Sequence, residues 1–588
     1  MNPGLDDSAA LRGAVGVLRD TLDATELPLD LPETADAQAE RHALLRQLDD
    51  YILPRLDSLD APLLAVVGGS TGAGKSTLVN SIVGGEVSAS GVLRPTTTVP
   101  VLIHHPSDAH WFSNQRVLPE LSRVTGSAHD RDQPGTVRLV KSSALQPGLA
   151  LLDAPDIDSV VKANRALSGQ LLQAADMWLF VTTAARYADA VPWDLLRAAS
   201  ERGTAVAIVL DRVAPEDIDE IKPHLVEMLR EQGMGTSPVF TIPETTLTED
   251  KLLPPEALGR LGQWLTALAT DQRARNIIVS HTLQGALASL QARTEAVIEA
   301  TRLQHEATRA LALVVDKAYD RARDEVEAGM TDGSLLRGEV LARWQEFVGT
   351  GEFFRQVESK ISRWRDKITA ALKGAPMPAE QVDEALQTGV ADLIRSRADS
   401  AAAEIARTWR GMPGGDSVLA AAPTLAASDD TVPPRVERLV RDWQGDMLEL
   451  IRGEGKDRRL NARIAAFGIN GIALFLMLVA FAHTGGLVGA EVGIATGASV
   501  LAQRVLEAIF GDQAVREMAK KAREILLVRV DALFDDERAR YHAGLGPMLV
   551  GSGAARRLEA AAAEVGRAVA AARPDGFQPP AAEEASAS

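Results

Sequence analysis

Cysteine is absent from all 588 residues, which excludes disulfides, thiolate metal sites and cysteine nucleophiles and suits a reducing compartment. Basic charge is in deficit, since 62 Lys and Arg against 80 Asp and Glu leave a formal net charge of −18. A chain of that sign does not take nucleic acid as its main partner, because phosphate backbones are bound by basic faces. The first residues, MNPGLDDSAALRGAV, hold no basic stretch followed by an apolar core, so no cleavable signal peptide is expected and the bulk is read as cytoplasmic. No internal repeat is seen. Aromatic residues supply only 4% of the chain while Ala, Leu, Arg and Glu are abundant, a balance that favours helix outside any α/β region.

What is present starts with length: 588 residues exceed the roughly 250 to 300 at which a single core stops growing, so two or more units are expected. Residues 1–60 read as two helices, Ser8 to Ala24 and Glu33 to Leu59, expected to pack on the helical region; Leu44, Leu48, Tyr51, Ile52 and Leu56 fall at helical spacing. Over 61–270 the apolar runs LLAVV, VPVLI, LALL, MWLFV, AVAIVL and SPVFTI alternate with helical patterns, the rhythm of an α/β domain with a mostly parallel sheet. Residues 271–460 then read as an all-α stalk, with Trp344, Phe347, Phe353, Phe354 and Trp364 expected in its core and a Pro/Gly-rich hinge from Gly411 to Pro434. A hydrophobic hairpin is expected over 461–510, stalk helices over 511–572 and a disordered tail over 573–588.

The chemistry is concentrated in AVVGGSTGAGKSTLVNSIVGG. Gly69, Gly74, Lys75 and Ser76 complete G-x-x-x-x-G-K-[ST], after an apolar strand and before a helical run, the two contexts the motif requires. Residues Gly69, Ser70, Thr71, Gly72, Ala73, Gly74, Lys75, Ser76 and Thr77 are therefore the candidate phosphate cradle. Backbone N–H groups and the helix N-terminus face the anion, Lys75 adds charge, and the Ser76 hydroxyl ligates Mg²⁺. A carboxylate for the same ion should end another apolar strand, and LALLDAPDID supplies Asp153. Between the two lies the Thr-rich loop VLRPTTTVPV, in the order lysine, Thr loop, strand Asp that GTPases use.

The motifs GGSTGAGKST, RPTTTVP and LLDAPDID, with the segment LFVTTAARYADAVPW, resemble a bacterial dynamin-like GTPase of the actinobacterial type over about residues 60 to 250. That resemblance implies GTP and Mg²⁺ as ligands, with ATP left open, and Thr97 as switch residue in a pattern like R-P-x-T, flanked by Thr96 and Thr98. The implied catalytic set is Lys75, Ser76, Thr97 and Asp153, of which Ser76, Thr97 and Asp153 hold the metal. It further implies self-association through the GTPase domain or stalk, or with a paralogue, and membrane tethering or remodelling.

The chain departs from that pattern in places. D-x-x-G reads Asp153, Ala154, Pro155, Asp156, and the water-positioning Gln of the eukaryotic loop is Thr71, so hydrolysis is expected to be slow. The guanine motif [NT]-K-x-D reads Asp211, Arg212, Val213, Ala214, which leaves Asp211 and Arg212 as base-side candidates and no carboxylate at the last position. Leu167, Ser168, Gly169 and Gln170 mimic a shortened ABC-ATPase signature but lack the following Asp-Glu strand and read as helix surface.

From Ile464 to Ala482, IAAFGINGIALFLMLVAFA has one polar side chain and no charge, long enough at about 20 residues to cross a bilayer. A weaker apolar piece, Val488 to Ala502, follows a turn. Lys456, Arg458, Arg459 and Arg463 on one flank and Arg504, Arg516, Lys520, Lys521 and Arg523 on the other suit anionic headgroups at the cytoplasmic side of the membrane. A membrane-anchored regulatory switch and a transporter-associated ATPase subunit are the alternative readings.

Overall fold

A computed structural model describes residues 3–88, 99–114, 116–118, 121–125, 135–157, 162–201, 203–331, 379–454, 469–482, 503, 506–507 and 510–572. The chain divides into two compact units, Met1–Leu27, Glu33–Arg302 and Ser552–Ser588 in the first, Pro28–Pro32 and Leu303–Gly551 in the second.

The first unit opens with helices α1 (Pro3–Asp23), α2 (Thr34–Gln47) and, after a π-helical turn at Leu48–Ile52, α3 (Leu53–Asp57). An alternation then runs β1 (Leu63–Gly69), α4 (Lys75–Val83), β2 (Val101–His104), α5 (Ala109–Phe112), β3 (Ser122–Val124), β4 (Thr136–Lys141) and β5 (Leu149–Asp153). It continues through α6 (Lys162–Gln173), β6 (Met177–Thr183), α7 (Ala190–Glu201), β7 (Ala205–Val213), α8 (Ile218–Glu231), β8 (Val239–Pro243), α9 (Pro255–Thr270) and α10 (Gln272–Thr331), whose residues from Leu303 onward belong to the second unit. Among the described residues eight strands form one sheet in the order β3-β4-β2-β5-β1-β6-β7-β8. Every pairing is parallel except β2 with β5, which is antiparallel.

The apolar run of β1 is buried at every position because helices cover both faces of the sheet. Leu64 and Val66 join Trp178, Phe180 and Leu225 in one layer, while Leu63, Ala65 and Val67 join Leu78, Leu261 and Leu265 in the other. Leu18, Leu22, Leu44 and Ile52 of the N-terminal helices pack with Leu283 and Leu290 of α10 and with Leu558 and Val565 of the helix Ala554–Ala571. A buried ion pair fixes α3 to the sheet: Arg55 Nε donates to Asp176 at 3.0 Å, and Asp176 also accepts from Leu64 N–H at 2.8 Å.

The second unit is helical, with Ala379–Arg410, Gly415–Ala421, Val432–Glu454, Ile469–Ala482 and Asp512–Leu545 around one apolar core. Its indoles bridge helices through their N–H groups, Trp409 to Leu311 O at 3.1 Å and Trp443 to Ala522 O at 2.8 Å. The aromatic stretch 335–372 and the tail 573–588 lie outside the described residues. The expected hinge holds a short helix and a 3-10 turn at Pro423–Ala426.

Of the expected membrane hairpin, the described residues include the central stretch 469–482. Ile469–Ala482 is a helix of 14 residues, and Ile472, Leu474, Leu476, Met477, Leu478 and Val479 are buried in the helical core. Protein side chains thus cover this part of a run that the sequence offered to lipid, one of the two surroundings that suit a helix apolar all round. Among the described residues no helix is long and apolar enough to cross a membrane. Residues 455–468 and 483–502 lie outside them. The distal basic flank is also partly neutralised along its own helix, where Arg516 pairs with Asp512, Lys520 with Glu524 and Lys521 with Glu517.

Candidate nucleotide-binding site

β1 ends in a loop that returns directly into α4, and two glycines make that turn possible. A Cβ at Gly69 (φ 155°) would overlap Val181 O on β6, and one at Gly74 (φ 94°) would overlap the Asp211 carboxylate. Lys75, 5% exposed, folds back over the loop, its Nζ donating to Gly69 O at 3.0 Å and Ser70 O at 3.1 Å and pairing with Asp156. Ser76 Oγ donates to Asp153 Oδ2 at 2.7 Å. Ser88 Oγ donates to the same oxygen at 2.5 Å. Ser88 is held there by Asn80, whose Oδ1 accepts from Val87 and Ser88 N–H, each at 2.9 Å, and whose Nδ2 donates to Ser88 O at 2.8 Å.

Burial pushes the Asp153 carboxyl up; the two serine hydroxyls and Lys75 oppose this, and Asp156 reinforces it. Burial likewise raises Asp211, at the end of β7, from 3.8 to about 6 against the pull of Arg212. Arg212 sits at a bulge in the β7–β8 pairing with φ 54°, a left-handed conformation that turns its guanidinium onto Gly72 O. From the loop after β6, Arg186 donates to Thr71 O at 3.2 Å, so two arginines hold the phosphate loop from β6 and β7.

Four buried polar atoms at this edge have no hydrogen-bond partner among the described residues: Ser70 Oγ, Asp153 Oδ1, Thr182 Oγ1 and Asp211 Oδ1. They belong to the C-terminal ends of the neighbouring strands β5, β1, β6 and β7, where open α/β sheets bind ligands. The donor set also fits Mg²⁺, which takes one or two carboxylates plus substrate phosphate oxygens rather than a full protein cage. Ser76 Oγ and the bare Asp153 Oδ1 are such donors, and among the described residues no cluster of three His, Asp or Glu competes with them.

The structure therefore brings together Gly69 to Thr77, Asp153, Asp211 and Arg212. Thr97, with the loop 94–98, lies outside the described residues. Ala214 is extended and precedes a 3-10 turn at Pro215–Asp217 on which Glu216 and Asp217 are exposed. The helix-surface reading of Leu167 to Gln170 is corrected at one residue: Ser168 of α6 is buried and its Oγ donates to Pro155 O at 2.7 Å. Ser88, Arg186 and the engagement of Lys75 by Asp156 escaped the sequence reading, although Asn80 on the buried face of α4 hinted that the next loop would be fastened there.

Loop and fold define a P-loop nucleotide-binding domain. Residues 64–213, from β1 to the end of β7, match the sequence profile of the Dynamin family. No curated protein matches the chain. A solved oligomerised bacterial dynamin pair, described as a mechanism for long-range sensing and tethering of membranes, is similar at 9% identity over 93% of this chain and 96% of that one, with a TM-score of 0.43. Aquifex aeolicus Era bound to GDP and aluminium fluoride matches at 18% identity over 32% of this chain and 52% of its own, TM-score 0.21. Toc33 from Arabidopsis thaliana, in complex with Mg²⁺ and GMPPNP, matches at 15% identity over 40% and 94%, TM-score 0.23.

Proposed function

We propose that the chain is a dynamin-like GTPase that binds Mg²⁺ and GTP at the β1–α4 loop, hydrolyses GTP slowly and couples nucleotide state to work at a membrane. The observation that carries the nucleotide half is the set of four unpartnered buried polar atoms around a phosphate loop lying within the dynamin-family match. Backbone N–H groups of 69–77 and the α4 N-terminus take the phosphates, and Lys75 neutralises their charge. Ser76 and Asp153 hold the cation, with Thr97 supplied by its loop. When bound, Mg²⁺ offsets charge on the β- and γ-phosphate oxygens. Asp211 and Arg212 form the base side, the Arg212 stem lying over the ring; without a carboxylate at Ala214, preference for GTP over ATP is weak. Thr71 and Asp156, in place of the residues that position water and γ-phosphate, make turnover slow.

The membrane half rests on the apolar segment 464–502 and the basic residues 456–463, whose partner is an anionic bilayer at the cytoplasmic face. Because Leu476 and its neighbours are buried in the helical core, engagement requires their release in one nucleotide state. Self-association through the GTPase domain or stalk, or pairing with a paralogue, completes the reading. Phosphate release from GTP and from ATP, with and without anionic liposomes, tests it in the wild type and in Asp153→Asn. GTP turnover lost in the variant and raised by liposomes supports the proposal; turnover indifferent to both, or ATP preferred, sinks it.

A further inference from the structure

Lys75 has three N–H groups and three acceptors: Gly69 O, Ser70 O and a carboxylate oxygen of Asp156. The lysine that should meet phosphate is thus fully engaged by the protein itself, in a setting where its side chain is 5% and that of Asp156 17% exposed. Nor is Asp156 on a loose end. Ala154 N–H donates to Val67 O at 3.2 Å, Ile157 N–H to Gly69 O at 3.4 Å, and Pro155 O accepts from Ser168 Oγ at 2.7 Å, so the segment is fastened to β1 and to α6. An anion is therefore built into the position where a nucleotide would bring one.

We infer that Asp156 is the internal counter-ion of the phosphate site, which a nucleotide phosphate must displace from Lys75, so that this residue sets both the affinity and the preference among nucleotides by phosphate charge. The inference rests on the phosphate-site reading above. Exchange leaves the carboxylate without its cation and next to added negative charge, while Asp153 stands three residues away. Opposition from Asp156 grows with ligand charge, so a triphosphate is disfavoured more than a diphosphate. Removing the carboxylate reverses both effects.

The test is calorimetry of Mg²⁺ with GTP and with GDP on the full chain, as wild type, Asp156→Asn, Asp156→Ser and Lys75→Ala. The two Asp156 variants are expected to bind about tenfold tighter, an effect of the order of one pKa unit of charge interaction, with a larger gain for GTP than for GDP. Hydrogen exchange at 154–157 in the wild type, with and without GTP, needs no variant, and displacement of Asp156 should change it. Unchanged or weaker binding in both Asp156 variants, or exchange at 154–157 indifferent to GTP, overturns the inference while Lys75→Ala still abolishes binding. Lys75→Ala binding like the wild type overturns the phosphate-site reading itself.

Discussion

Asp211→Asn gives a stability effect whose sign and size follow from burial. Asp211 is 5% exposed, one of its oxygens has no partner among the described residues, and its carboxyl is raised from 3.8 to about 6. The folded state holds that proton more tightly than the unfolded chain. No penalty exists below pH 3.8; it grows as pH passes from 3.8 to 6 and is complete above 6. At about 1.36 kcal/mol per pH unit, the penalty on the nucleotide-free fold at pH 8 is ~3 kcal/mol. Asparagine removes the charge but brings an N–H that needs an acceptor, so the net gain is expected at about 1 to 3 kcal/mol. Hydrogen–deuterium exchange of β1, β6 and β7, corrected for intrinsic rates, should show greater protection in Asp211→Asn at pH 8 and no gain at pH 4. Equal protection of variant and wild type at pH 8, or a gain of the same size at both pH values, would refute the reasoning.

Ser76→Ala should make nucleotide binding nearly indifferent to Mg²⁺, since one of two hydroxyls on Asp153 and a metal donor are lost; titration with and without EDTA measures it. Ala214→Asp should raise GTP over ATP selectivity in competition binding by supplying an acceptor for guanine N1 and N2, and no change would show that the base lies elsewhere. Leu476→Ala should destabilise the helical unit by about 2 to 5 kcal/mol, as for other fully buried leucines. A cost near zero in urea unfolding would mean that Leu476 is not core.

Much of the nucleotide domain was legible because its determinants are local. Six apolar runs became β1, β2, β5, β6, β7 and β8, and the glycines and Lys75 announced the loop between β1 and α4. The two missed strands lack that signal: β3 has three residues with none fully buried, and β4 interleaves Arg138 and Lys141 among its apolar positions. Asp153 was legible as the polar end of an apolar strand. Ser88 was not, because its role depends on Asn80 fastening the chain eight residues upstream. Asp156 stood out as a departure from a pattern, but that it reaches Lys75 is a tertiary fact. The segment at 469–482 illustrates a limit of hydropathy: uniform apolarity marks burial and is silent on whether protein or lipid provides it.

Whether the β1–α4 loop is a Mg²⁺-dependent nucleotide site is decided by equilibrium titration of a fluorescent GTP analogue onto wild type and Lys75→Ala. Saturable binding by the wild type is expected, weakened when Mg²⁺ is chelated, displaced by unlabelled GTP and abolished in Lys75→Ala. Binding of equal strength in both proteins, or none by the wild type with Mg²⁺ present, would contradict it.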